Sequence, residues 1–180
     1  PTDEIILTIY KKNRKEGFRL LYQKYSERIL SVCRRYSTDD TQAMDYFQDV
    51  MIKVNDRLGS YQFKGEGSLF HWISRVTVNH IVDIIRKDHK MVVLDISEIG
   101  DSLEDTSYDD SDRIPVEEMF NMIDRLSLVK REVFNLHCID GYSHKDIGEM
   151  LGITEDGASS LLSKARKELS LMIKEYLKKN

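Results

Sequence analysis

The sequence predicts an all-α protein: two small helical domains joined by an acidic, flexible linker. Three observations predict it. Two prolines and nine glycines in 180 residues are too few for a turn-dense β-fold. Apolar residues recur every three or four positions over long stretches on both sides of the chain's middle, the period of a helix buried along one face. Between those stretches, "MVVLDISEIGDSLEDTSYDDSDRIP" loses the period and fills with Asp and Ser. Such a segment cannot bury enough apolar surface to offset its ordering entropy. The expected organisation is therefore a domain over 1–90, a linker over 91–114 and a domain over 115–180.

In the first block, Ile5 to Tyr10 is a short amphipathic piece. Phe18, Leu21, Tyr22, Tyr25, Ile29, Val32, Cys33 and Tyr36 then mark a long helix. "STDD" is an N-cap cluster that opens a helix whose apolar stripe is Ala43, Met44, Phe47, Val50, Met51, Val54 and Leu58. The glycine-containing loop "YQFKGEGS" leads into a third long helix, with Leu69, Ile73, Val76, His80 and Ile84 on its apolar face. At the start of the linker, Val92, Val93, Leu94 and Ile96 are expected to pack locally.

In the second block, Pro115 starts a helix running to about Leu126, and Ser127 caps the next. "SHKDIGEMLGITEDGASSLLSKAR" then has the form of a helix-turn-helix. Ser143 caps a helix over "HKDIGEML", Gly152 allows the tight turn, and Thr154 caps the second helix. Ile147, Leu151 and Ile153 form the wedge, Gly148 is small where the helices cross, and Ala158, Leu161, Leu162, Ala165 and Leu169 give a buried stripe. An ordinary helical hairpin with a glycine turn is the plainer alternative.

The net charge of −4 hides an uneven spread. Residues 1–90 carry 16 Lys and Arg against 12 Asp and Glu, residues 91–114 one against eight, and residues 115–180 ten against eleven. Cys33 and Cys138 have neither disulfide nor zinc spacing, which fits the reduced cytoplasm. No apolar run reaches membrane-spanning length and no signal-peptide pattern opens the chain. No HExxH, CxxC pair or nucleophile elbow organises His71, His80, His89, His137 and His144, so neither enzyme chemistry nor a cofactor is expected.

A helix-turn-helix places the start of its second helix in the major groove. Here that start presents Glu155 and Asp156, which suit the helix dipole but repel phosphate. Ser159, Ser160 and Ser163 discriminate little between bases, and Lys164, Arg166 and Lys167 lie further along. This helix alone is a weak DNA reader. In the third long helix, Arg75, Asn79 and Arg86 fall within about 40° of one another, with Lys90 near them and the apolar face over about 100° away. That face suits a nucleic-acid strand, and Phe70, His71, Trp72, Tyr61, Phe63 and Lys64 could stack on or hold unpaired bases. A solvated basic face, with Trp72 in the core, fits the spacing equally well.

Taken together, "DYFQDVMIKVNDRLGSY", "GSLFHWISRVTVNHIVDIIRK" and "LSLVKREVFNLHCIDGYSHKDIGEMLGITEDGASSLLSKARKEL" resemble the extracytoplasmic-function group of bacterial RNA polymerase sigma factors, from about Phe18 to Leu171. The resemblance implies that 1–90 is sigma region 2 and 115–180 is region 4. It implies polymerase docking by Asp45, Gln48, Asp49, Ile52 and Lys53, with Asp45, Gln48 and Asp49 on one helix face by their spacing. It implies contact with the −10 element by Tyr61, Lys64, Ser68, Trp72, Arg75, Asn79, Arg86 and Lys87. Contact with the −35 element falls to Thr154, Glu155, Asp156, Ser159, Ser160, Ser163, Lys164, Arg166 and Lys167. The implied partners are RNA polymerase core (the clamp helices of β′ and the flap of β), duplex and melted promoter DNA, and the anti-sigma factor that such proteins often have. The chain departs from the family at Ser159 and Leu161, where members usually carry basic or amide residues, and at Asp156-Gly157, where Gly-Thr is common. The customary proline near Ser127 is also absent.

The rival is a response regulator or repressor that shares only the helix-turn-helix and binds DNA without polymerase. It would need an αβ receiver or a dimerisation helix, and the first block shows no alternating strand pattern.

Overall fold

The computed structural model describes residues 1–88 and 114–179, in two compact units divided at Asp88. All regular elements of the described residues are helical. The linker residues 91–113, with Lys90 and the Val92–Ile96 stretch, lie outside the described residues.

Unit 1 holds α1 (Asp3–Lys12), α2 (Arg14–Arg35), α3 (Asp40–Arg57) and α4 (Ser68–Asp88). Asn13 ends α1 and caps α2, its side chain accepting from the Glu16 amide at 3.2 Å. The two helices meet at Gly17, where a Cβ would come within 2.3 Å of the Tyr10 Cα, so any side chain there forces α1 off α2. Asp39, from the expected cap cluster, caps α3 by accepting from the Gln42 amide at 2.8 Å. Helices α2, α3 and α4 pack on one another around Leu21, Ile29, Val50, Val54, Leu69, Ile73 and Ile81, all fully buried.

Three expectations about this core are corrected. Tyr22 is 45% exposed and Met44 41%; both lie at the rim of their stripes, and the Tyr22 ring meets Phe47 edge-on at 5.9 Å. The apolar face of α4 is also wider than expected, because Thr77, Val78, Ile81, Val82 and Ile85 are buried as well. Helix α4 packs against both α2 and α3, which leaves only a narrow polar strip to solvent.

Unit 2 holds α5 (Val116–Asp124), α6 (Leu128–Phe134), a π-type turn (Asn135–Ile139), α7 (His144–Leu151) and α8 (Glu155–Lys179). Its core joins Met122, Ile123 and Leu126 to Ala165, Leu169 and Ile173 of α8. Pro115 occupies the N-cap position of α5 rather than its first turn. Ser127 stands at the N-cap of α6, but its side chain makes no capping bond. Arg131 and Glu132 are buried polar residues of α6 that an apolar pattern does not reveal.

The helix-turn-helix forms as its residues predict. Ser143 and Asp146 make a reciprocal capping box, and Gly152 takes the left-handed conformation at φ +74°. The Thr154 hydroxyl accepts from the Gly157 amide at 3.0 Å. Gly148 is the close approach: a Cβ would sit 2.8 Å from the Ile153 carbonyl oxygen.

Candidate nucleic-acid interface

Helix α3 turns one polar face outward. Asp45, Gln48 and Asp49 are exposed, Lys53 is half-buried, and Ile52 adds an apolar side chain that is 62% exposed. The opposite face of α3 is core, with Ala43, Phe47, Val50, Met51 and Val54 buried, so these outward side chains stand on a rigid support.

Across from α3, the polar strip of α4 carries Trp72, Arg75, Asn79 and Asp83. Together with Lys53 and Arg57 of α3 they line a groove of roughly 430 Å³. Two arginines and a lysine outweigh one aspartate, so the groove suits an anionic strand. His80 sits at its wall with Nε2 3.7 Å from the Asp49 carboxylate. Burial, followed by the nearby Lys53 charge, holds its imidazole below the usual histidine range, so this side chain is neutral near pH 7. The sequence placed His80 on the apolar face; it stands instead at the seam between the polar face of α3 and the strip of α4.

One part of the loop preceding α4 is organised by the Ser68 hydroxyl. Ser68 Oγ donates to the Gly65 carbonyl at 2.5 Å and accepts from the Lys64 amide at 3.3 Å. Its single proton is thus committed, and the Tyr61 hydroxyl, 2.7 Å away, is the donor to Ser68. The Tyr61 ring lies 5.0 Å from Trp72, tilted by 41°. Lys64 and Phe63 project to solvent. Ser68 therefore shapes the loop from within, with no hydrogen-bonding capacity left over for a base.

Other expected residues separate. Phe70, about 200° around the helix from Trp72, stacks on Tyr25 at 5.5 Å under the Arg28 guanidinium at 3.5 Å, so it is not part of the stacking platform. Arg86 is half-buried and held by Asp83 at 2.9 Å. Lys87 is exposed about 40° around the helix from Asp83, at the edge of the strip and outside the groove lining.

In unit 2, Thr154, Glu155 and Asp156 are exposed at the start of α8, followed by half-buried Ser159, Ser160, Ser163 and Lys164, then exposed Arg166 and Lys167. An Arg166 Nη donates to the Cys138 sulfur at 3.7 Å. His137 and His144 stack in parallel with centroids 4.5 Å apart, and His137 Nδ1 meets the Tyr142 carbonyl at 2.9 Å. This is packing that the sequence pattern did not show. No group of three or more possible ligands among the described residues is placed to hold a metal ion.

Sigma-70 region 2 matches residues 21–91 and Sigma-70, region 4 matches residues 117–169. RNA polymerase sigma factor SigZ of Bacillus subtilis is 25% identical over 154 residues, 85% of either chain. The ECF RNA polymerase sigma-E factor of Haemophilus influenzae is 23% identical, covering 98% of this chain and 97% of its own. The chain belongs to the sigma-70 family, in its extracytoplasmic-function group. Both regions in order favour this sigma factor over a regulator sharing only the helix-turn-helix. Among solved structures, the sigma factor RpoE bound to the anti-sigma factor NepR from Bartonella quintana has the same fold, with a TM-score of 0.52. That comparison has 19% identity and covers 88% of this sigma factor and 98% of that chain.

Sequence reasoning missed Arg57 and Asp83 in the groove, and the group around Asp3 that holds the loop of this sigma factor. Arg57 follows Lys53 by four residues, a spacing that puts the two on one face. For Asp3 no local signal exists, since its partners are 21 to 64 residues away.

Proposed function

We propose that this sigma factor docks on RNA polymerase core through α3, holds the unpaired −10 element with the loop before α4 and the strip of α4, and reads the duplex −35 element with α7 and α8. Asp45, Gln48, Asp49, Ile52 and Lys53 meet the β′ clamp helices, and unit 2 meets the β flap. Trp72 and Tyr61 supply stacking surface, Lys64 and Arg75 meet phosphate, and Asn79 offers an amide to a base edge. Arg86, held by Asp83, and Lys87, beyond the groove lining, contribute only to the surrounding positive field. On α8, Arg166 and Lys167 with the serines contact the backbone, and Glu155 or Asp156 accepts from a cytosine amino group.

The observation that carries this reading is the shared groove. The docking helix and the reading helix form its two walls, with a ring pair at one end and cations along it. Each reading head is weak alone, and polymerase core holds both at fixed spacing, so they act by effective concentration. The phosphodiester chemistry belongs to polymerase, and this chain is not an enzyme. It works in the cytoplasm; no described helix is long and apolar enough to cross a membrane. An anti-sigma factor is the partner that would mask the same faces.

Two variants test the assignment. Asp49→Arg should abolish core binding in a pull-down while leaving the circular dichroism spectrum helical. Asn79→Ala should keep core binding and lower open-complex formation, read by permanganate, by about ten- to a hundredfold. Wild-type core affinity for the first, or wild-type melting for the second, would sink the corresponding assignment.

A further inference from the structure

The loop over 61–67 is held by hydrogen bonds more than by apolar packing. Gly65 and Gly67 adopt left-handed φ values of +112° and +85°. Gln62, Phe63 and Lys64 are exposed, so no apolar core fixes them. The Ser68 hydroxyl ties together Tyr61, Lys64 and Gly65.

The other side is tied to α1. Asp3 is a carboxylate with 0% exposure, a rare state for an acid unless it is fully paired. Its Oδ2 accepts from the Gly67 amide at 3.0 Å, and its Oδ1 accepts from Lys24 Nζ at 2.7 Å and from the Tyr25 hydroxyl. The Asp3 amide in turn donates to the Glu66 carboxylate at 3.0 Å, and Lys24 Nζ reaches the same carboxylate at 3.0 Å. Asp3 sits in the first turn of α1, yet its carboxylate faces the loop, while Thr2 does the capping of that helix. Two successive loop residues are thus bonded to one residue of α1, and a single lysine bridges both carboxylates.

Burial opposes the ionised form of Asp3. The hydrogen bonds from Lys24, Tyr25 and Gly67 outweigh it and hold the carboxyl below its ordinary range. For Lys24, burial is likewise outweighed by its bonds to Asp3 and Glu66, so the ammonium stays charged.

We infer that Asp3, Lys24 and Glu66 form an anchor that pre-sets the 61–67 loop for capture of an unpaired base, making α1 a positioning element of the reading head. This rests on the reading of the loop proposed above. None of the three touches DNA in this account; they act by sparing the loop the entropy of ordering on binding. Losing the order of even one loop residue would lower capture by about tenfold.

The test uses Asp3→Asn, Glu66→Gln, Lys24→Met and Lys24→Arg in the full chain. Glu66 is mostly exposed, so Glu66→Gln keeps the fold even if Asp3→Asn does not. Hydrogen exchange on the free protein should show faster exchange at 61–67 in the first three variants, with α3 and α4 unchanged, and wild-type rates in Lys24→Arg. On a promoter selected by the wild-type holoenzyme, permanganate reactivity should fall about tenfold in those three variants while core affinity is unchanged. Lys64→Ala and Trp72→Ala run alongside. If these two lower melting and the anchor variants do not, the anchor inference is wrong. If Lys64→Ala and Trp72→Ala leave melting intact, it is the loop's reading role that fails. Unchanged exchange at 61–67 in Glu66→Gln and Asp3→Asn overturns the anchor outright.

Discussion

Glu132 gives the sharpest physical prediction. It lies in α6 with 2% exposure, and its Oε1 has no hydrogen-bond partner. Burial pushes its carboxyl up to about 7, only partly offset by Arg131. Because the folded value lies above the ordinary 4.5, the folded state binds the proton more tightly than the unfolded chain. The contribution to stability is therefore full below about pH 4.5 and is lost as pH rises through about 7. A shift of this size corresponds to about 3 kcal/mol, a large share of the stability of a small unit. Glu132→Gln is isosteric with the protonated acid and removes the ionisation. Urea melts followed by far-ultraviolet circular dichroism report both units, whereas the single tryptophan, Trp72, reports unit 1 alone. The component seen only by circular dichroism is unit 2. In the wild type it should weaken by about 2.5 kcal/mol between pH 5 and pH 8, and in Glu132→Gln it should stay level. A wild-type unit 2 that is indifferent to pH, or a variant that tracks it, would refute the reasoning.

Two further outcomes follow from the same geometry. Unit 1 should respond to pH in the opposite sense: His80 is held below its usual range by burial and then by Lys53, so its contribution is present above pH 6.5 and is lost as pH falls through the folded value. Trp72 fluorescence should show urea midpoints that drop from pH 7 to pH 5, and His80→Gln should flatten that drop. Gly148→Ala would place a methyl group 2.8 Å from the Ile153 carbonyl, a backbone clash that should weaken unit 2 by about 1–3 kcal/mol. Duplex DNA binding should be lost while core binding through unit 1 persists, as separate pull-downs would show.

The helices were legible because each carries its own start signal and period. The expected bounds of α7 agree with the structure, since Ser143, Gly152 and Thr154 act within a few residues of their own positions. The width of the α4 core face was not legible, because a single-face periodicity assumes one partner and α4 has two. Glu132 and Asp3 were invisible for a related reason: burial of a charged residue depends on partners brought in by the fold. Of the candidate site, Trp72, Arg75 and Asn79 gather on one strip as their phase predicts. Phe70 does not, being claimed by Tyr25 and Arg28, while Arg86 shares the phase but is held by Asp83 and Lys87 lies at the strip's edge.

The central claim is that one chain lends polymerase two reading heads. Purified core, with and without this protein, should be given a library of randomised promoter sequences, and the run-off transcripts sequenced. The account predicts transcripts only with the protein present, enriched for two short elements at fixed spacing, the downstream one lost in Asn79→Ala. Transcription that ignores the protein, or enrichment of a single element bound equally well without core, would contradict it.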